Sequence, residues 1–137
     1  MSEATGGGTA PEIRAIVAGH GSFADGLVSA VEQITGRGAV LRPVSVTGLG
    51  AEDIERTLRA MMADTGARVI FTDLQAGSCS MAGRRILRGS PDAVLICGTN
   101  LPILLDFVFA DGMAPPDAAR HAAERGRSAI SVLGAGA

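Results

Sequence analysis

The chain has 137 residues, 47% of them hydrophobic and 19% charged, with a formal net charge of −2, which makes a single domain with a sizeable core and excludes a disordered chain. All twelve basic residues are arginines and they form no run, so the footprint of a nucleic-acid binder is missing, and so is every mechanism that needs a lysine amine, from Schiff bases to the Walker A lysine. Two cysteines, Cys79 and Cys97, make neither a disulfide framework nor a zinc site, and reduced thiols in a cytoplasmic protein are the expectation.

Residues 1–12 (MSEATGGGTAPE) read as a flexible tail without the basic and apolar regions of a signal peptide, and residues 13–137 as one domain. No apolar run approaches a membrane span. Ile13–Ala18 (IRAIVA) predicts a short buried strand that ends in Gly-His-Gly. Phe23–Thr35 has apolar residues at Phe23, Leu27, Ala30, Val31 and Ile34, one face of a helix, with Asp25 in its first turn and Gly36 past its end. Val40–Val46 is a second strand, placed at a sheet edge by Pro43. Ala51–Asp64 is a second amphipathic helix carrying Ile54, Leu58, Met61 and Met62. Arg68–Asp73 is a third strand ending in an acid, and Ser78–Leu87 is helical. Ala93–Cys97 is a fourth strand, Leu101–Phe109 and Asp117–Arg125 are helices, and Ser128–Leu133 is a final strand. This alternation predicts a doubly wound α/β domain: a mainly parallel sheet in the order 2-1-3-4 with helices on both faces. The last strand follows two helices and is expected to pair antiparallel or with another subunit.

In such sheets ligands bind beyond the carboxyl ends of the strands, where the strand order switches. In the 2-1-3-4 order the first and third strands are neighbours there, and their ends carry His20 and Asp73. A third loop, Cys97–Pro102 (CGTNLP), leaves the fourth strand at the same edge. Asp73 is placed to accept Nδ1–H of His20, fixing the tautomer and leaving Nε2 as a nucleophile. Backbone amides at Gly19 and Gly21, with those near Gly77 and Ser78, suit a phosphoryl group held by helix dipoles. The alternatives are plain: Gly-His-Gly as a tight turn, Asp73 as a helix cap, and Asn100 as either a pocket donor or the cap of the next helix.

These residues match a known family. "AIVAGHGSFADGLVSAVEQITG" resembles the opening of the enzyme IIA domains of the mannose/fructose/sorbose family of the bacterial phosphoenolpyruvate-dependent sugar phosphotransferase system. "VIFTDLQAGS" resembles that family's third strand and Asp-x-x-Gly-Gly-Ser/Thr loop, and "ICGTNLPILLDFVF" its Gly-x-Asn-Leu-Pro segment. The wording "GHGSFADGL" and "GTNL" is nearest the N-acetylgalactosamine/galactosamine branch. The resemblance runs from Ile13 to about Leu133. It implies that His20 is phosphorylated on Nε2 and oriented by Asp73, and that it takes the phosphoryl group from the phosphocarrier HPr and passes it to a IIB component for sugar uptake. It implies Gly19, Gly21, Ser22, Gly77, Ser78 and Asn100 around the phosphoryl group, no metal and no cofactor. It also implies a cytoplasmic homodimer that exchanges its last strand, with the membrane reached only through IIC and IID components. Some relatives of this fold instead regulate other proteins or feed dihydroxyacetone kinases.

The sequence departs from the family at Ala76-Gly77-Ser78-Cys79-Ser80, where Gly-Gly-Ser/Thr-Pro-Phe is usual. The departure creates a rival: Cys79 and Arg85 stand at Cys-x5-Arg, the spacing of cysteine-dependent phosphatases, although Cys79 lies too far beyond its strand and Ile86 follows the arginine. Arg84, Arg85 and Arg88 form either a solvated face or a docking patch for an acidic partner. His121, in a polar helix, reads as solvated, and Cys97 as core.

Overall fold

A computed structural model describes residues 11–136. Of the expected tail, residues 1–10 lie outside the described residues, and Pro11 and Glu12 are exposed and belong to no strand or helix. The elements run β1 (Ala15–Gly19), α1 (Phe23–Thr35), β2 (Leu41–Ser45), α2 (Ala51–Thr65), β3 (Val69–Thr72), α3 (Ser78–Gly89), β4 (Val94–Cys97), α4 (Leu101–Phe109) and α5 (Pro115–Ser128), with one 3₁₀ turn at Gly38–Val40.

The four strands are parallel in the order β2-β1-β3-β4. The two-residue period of the central strands builds both layers. Ala15 and Val17 of β1, with Val69 and Phe71 of β3, face α1, α4 and α5. Ile16, Ala18 and Ile70 face α2 and α3 through Ile54, Leu58, Ala82 and Ile86. Every residue of β1 and β3 is buried, as expected for strands covered on both faces. Phe71 and Phe107 meet edge to face, with centroids 5.1 Å apart. β2 is the edge strand that Pro43 requires, because a proline cannot donate to a second neighbour.

The predicted final strand is absent. Ser128 ends α5, and Ala129–Leu133 pairs with no strand among the described residues. Its apolar residues Ile130, Val132 and Leu133 are 74%, 76% and 88% exposed. The apolar pattern is that of a strand, but a strand needs an edge to pair with, and this segment meets none within its own chain.

The far end of α4 is tied down by two arginines. Arg14 donates to the carbonyls of Ala110 and Met113 and lies over the Phe107 ring. Arg37 donates to Val108 O and to Asp111. Both satisfy carbonyls that a helix end leaves open.

Candidate active site

β1 delivers His20 to the sheet's carboxyl edge, between the loops that follow β2 and β3. Gly19 makes this possible by having no side chain: a Cβ there would lie 2.6 Å from Cδ2 of Phe23 and 3.2 Å from Oδ2 of Asp73. The chain then turns through Gly21, at φ +55°, a conformation that glycine adopts without strain.

One carboxylate oxygen organises the residue. Oδ2 of Asp73 lies 2.8 Å from Nδ1 of His20 and accepts the His20 backbone N–H at 2.9 Å. The Asp73 side chain is 11% exposed and that of His20 is 57% exposed, so the acid is sheltered while the imidazole is open to a partner. Burial pushes the Asp73 carboxyl up, but the hydrogen bonds and charge of His20 outweigh it, and the net shift is below the ordinary value. An ionised carboxylate only accepts, so Nδ1 carries the hydrogen and Nε2 keeps its lone pair in the neutral ring. Oδ1 of Asp73 is buried and has no partner among the described residues, so the hydrogen bonding of this acid is spent on His20.

Behind Asp73 the β3–α3 turn is fixed by a hydroxyl pair. Thr72 Oγ1 and Ser80 Oγ are both buried and lie 2.8 Å apart, one donating to the other, and both stand within hydrogen-bond reach of the Leu74 carbonyl, which takes the remaining O–H. The loop is joined to the next one by the Thr99 N–H, which donates to Thr72 O at 3.0 Å. On the other flank Thr47 Oγ1 accepts the Gly21 N–H at 2.7 Å and Ser45 Oγ at 3.1 Å. Sequence reasoning missed Thr72, Ser80, Ser45 and Thr47, because a hydroxyl in a loop carries no signal until its neighbour is known.

The other predicted residues divide. Ser22 caps α1 without a side-chain bond to it, leaving its hydroxyl exposed. Gly77 caps α3 at φ +109°, and Ser78 opens that helix, whose first turn contains no acid. The first three N–H groups of α3 have no partner within the helix. The Gly21 N–H is not open in this state, since Thr47 holds it. Asn100 needs correction. Its Oδ1 accepts the Ile103 N–H at 3.0 Å and its Nδ2 donates to Gly126 O at 3.3 Å, so it caps α4 and ties it to α5 instead of reaching the pocket.

The phosphatase rival is overturned by the same geometry. Cys79 is buried, and burial, then the Asp73 charge, pushes its thiol up to about 12, which leaves no thiolate near neutral pH. Arg85 points to Glu55, 3.8 Å away, and clamps nothing at Cys79. Arg84 donates to Gln75 O at 3.1 Å, and Arg88 is exposed. His121 is not merely solvated: its Nδ1 lies 2.8 Å from Oδ2 of Asp106, linking α5 to α4. Cys97 is half-buried at the edge strand.

The sequence profile of the EIIA-man family, described as PTS system fructose IIA component, matches residues 14–123. The chain belongs to this family. Membership in EIIA-man makes it a phosphotransferase component of the sugar phosphotransferase system. A Klebsiella pneumoniae protein assigned as a phosphoenolpyruvate-dependent sugar phosphotransferase system permease superposes with TM-score 0.73 at 26% identity, covering 87% of this chain and 89% of that one. The mannose/sorbose-specific IIA subunit of Enterococcus faecalis shares the fold with TM-score 0.75 at 16% identity, over 90% of this chain and 96% of its own. A phosphotransferase component EIIA of Streptococcus agalactiae does so with TM-score 0.71 at 22% identity, over 87% and 95%. No curated protein matches the sequence. Within this EIIA-man chain, the residue that departs from the usual double glycine, Ala76, has no positive φ; the strained position is Gly77, where glycine is kept.

Among the described residues no helix is long and apolar enough to cross a membrane, and no group of three or more His, Cys, Asp and Glu could hold a metal ion.

Proposed function

We propose that this chain is a cytoplasmic phosphohistidine carrier, which accepts a phosphoryl group from HPr on Nε2 of His20 and passes it to a IIB component, with no cofactor of its own. The observation that carries the reading is the Asp73 carboxylate on Nδ1 of His20, 2.8 Å away, with the imidazole open on its other side.

Transfer is in line. The phosphorus–nitrogen bond to the donor imidazole breaks as the Nε2 lone pair of His20 forms the new one, and the freed donor ring keeps the electron pair. No proton has to move. The His20 ring gains positive character while bearing a hydrogen on Nδ1, and the Asp73 charge stabilises it. The open N–H groups of α3 at Ser78, Cys79 and Ser80, with the Ser78 hydroxyl and the backbone at Gly77, supply donors for the phosphoryl oxygens, and the helix dipole adds to them. Ser22 brings a hydroxyl from the opposite loop, and Gly19 keeps the floor clear for the imidazole.

We extend the reading to a homodimer. Ile130 and Val132 stand two apart as on one face of a strand, Leu133 follows them, and β4 ends the sheet with residues only half-buried. Exchange of this segment between copies would add a fifth strand at that edge. The wording around His20 and Asn100 is what supports a branch nearest N-acetylgalactosamine or galactosamine.

The experiment is phosphorylation by enzyme I, HPr and phosphoenolpyruvate, followed by intact mass, with His20→Ala and Cys79→Ser alongside. One acid-labile phosphoryl group, lost only in His20→Ala, supports the carrier. No gain in the wild type, where a known relative is labelled, sinks it. Presenting the loaded protein to IIB or to a dihydroxyacetone kinase separates transport from kinase supply.

A further inference from the structure

The loop after β2 brings a hydroxyl to the backbone of Gly21, the residue after His20, with one hydrogen-bonding valence left over. Thr47 Oγ1 accepts from the Gly21 N–H at 2.7 Å and from Ser45 Oγ at 3.1 Å. A threonine hydroxyl has two acceptor lone pairs and one O–H. Both lone pairs are filled, which fixes the oxygen, and among the described residues no acceptor takes its proton. Thr47 is itself exposed, so the proton is open to something that arrives from outside.

The sheet order says what it would meet. β1 lies between β2 and β3, so the loops that carry Thr47 and Asp73 leave the sheet on opposite sides of the one that carries His20. Asp73 takes Nδ1, and Nε2 stands across the ring from it. A phosphoryl group on Nε2 brings oxygens with a double negative charge to a site without lysine, where each oriented donor counts.

We propose that Thr47 is a phosphoryl-binding residue whose hydroxyl donates a hydrogen bond to an oxygen of the group carried on Nε2 of His20. This rests on the phosphohistidine reading and adds to its donor set. Thr47 keeps its proton throughout: only the phosphorus–nitrogen bond is exchanged. Ser45 orients the hydroxyl, and the Gly21 N–H anchors it, so the donor is in place before the phosphoryl group arrives.

The test uses the full chain as wild type, Thr47→Val and Thr47→Ser, loaded separately with phospho-HPr and with phosphoramidate, a small-molecule phosphoryl donor. Loading rate, phosphohistidine lifetime and the phosphorus NMR shift are read. Loss of one hydrogen bond to a charged group predicts that Thr47→Val loads about tenfold more slowly with a displaced phosphorus resonance, while Thr47→Ser stays within about twofold of wild type. A slow Thr47→Val whose resonance is unmoved overturns the contact and leaves Thr47 only a support for Gly21. A Thr47→Val that loads as fast as wild type overturns it too. If phosphoramidate labels His20 but phospho-HPr does not, the donor assignment falls, and the phosphoramidate data still decide Thr47. If neither labels the wild type, both readings fall.

Discussion

Asp73 holds His20 twice through one oxygen: Oδ2 takes both the imidazole Nδ1–H at 2.8 Å and the backbone N–H at 2.9 Å. The ring and its own peptide are locked to the same carboxylate, so neither the tautomer nor the rotamer is left to chance. Asp73→Asn removes the charge, and because one atom position serves both contacts, an amide nitrogen placed there takes the acceptor from the backbone N–H and turns an N–H toward Nδ1, which favours the tautomer with hydrogen on Nε2. That ring cannot attack. The rate of His20 phosphorylation is expected to fall by roughly 10²- to 10⁴-fold, the range for losing an orienting carboxylate behind a reacting histidine. Rapid-quench kinetics with phospho-HPr would measure it, and a loss under tenfold would contradict this role for Asp73.

The same pair makes stability depend on pH in the acid range. The folded-state value of Asp73 is lowered, because its bonds to His20 outweigh its burial. A proton therefore binds the unfolded chain more readily at this residue. The stabilisation is complete above the ordinary carboxylate value of about 4 and is lost as pH falls through the lowered folded value. Thermal unfolding followed from pH 6 down to pH 2.5 (both about) should show a shallower acid decline for Asp73→Asn than for wild type. Parallel curves would place the acid sensitivity elsewhere.

Gly19 is a space requirement that acts on the site directly. An alanine Cβ would stand 2.6 Å from the Phe23 ring and 3.2 Å from Oδ2 of Asp73. Phe23 is half-buried at the start of α1 and has limited room to turn. Gly19→Ala is expected to lower stability by about 1–3 kcal/mol, the usual cost of overpacking, and to slow phosphorylation by moving Asp73. Urea unfolding and the loading assay check the two effects separately. An unchanged loading rate in a destabilised variant would mean that Phe23 alone yields.

The fold and the meeting of His20 with Asp73 were legible because they depend on local pattern. Short apolar strands between amphipathic segments fix a parallel sheet, and Pro43 fixes which strand is an edge. Gly-His-Gly after one strand and Asp73 after another then fall at the same switch point. The family profile over residues 14–123 agrees with the resemblance that those motifs carry. What was not legible depends on contacts that sequence spacing does not carry. Ala129–Leu133 has the composition of a strand, yet whether it pairs is decided by an edge outside its own segment. Asn100 has the chemistry of a pocket donor, but its side-chain direction is set by Gly126, 26 residues away. Thr47 and Ser80 are ordinary loop and helix hydroxyls until the fold sets them beside Gly21 and Thr72. His121 looked solvated because nothing in its own helix reveals that Asp106 faces it.

Gly126 offers a case where two opposed effects can be weighed. Inside a helix, glycine to alanine ordinarily stabilises by about 1 kcal/mol through backbone entropy and propensity. Here an added Cβ would stand 2.0 Å from Cγ1 of Ile103 and 3.0 Å from Oδ1 of Asn100. Ile103 is 5% exposed and has little room to retreat, and Asn100 is the cap of α4, bonded at once to Ile103 N and to Gly126 O. Relief therefore means pushing α5 away from the start of α4 and loosening that cap, which is itself worth about 1 kcal/mol. Gly126→Ala is expected to destabilise by a net 1–3 kcal/mol (about), the steric and capping losses exceeding the helical gain. His20 and Asp73 are held by β1, β3 and the loops after β2 and β3, whereas the nearest neighbours of a Gly126 Cβ are Ile103 and Asn100, so the loading rate of the folded fraction should stay within about twofold of wild type. Chemical denaturation beside the phosphorylation assay measures both. A stabilised variant would show that Ile103 finds another rotamer, and a large loss of transfer in the folded protein would make the α4–α5 seam part of the active site after all.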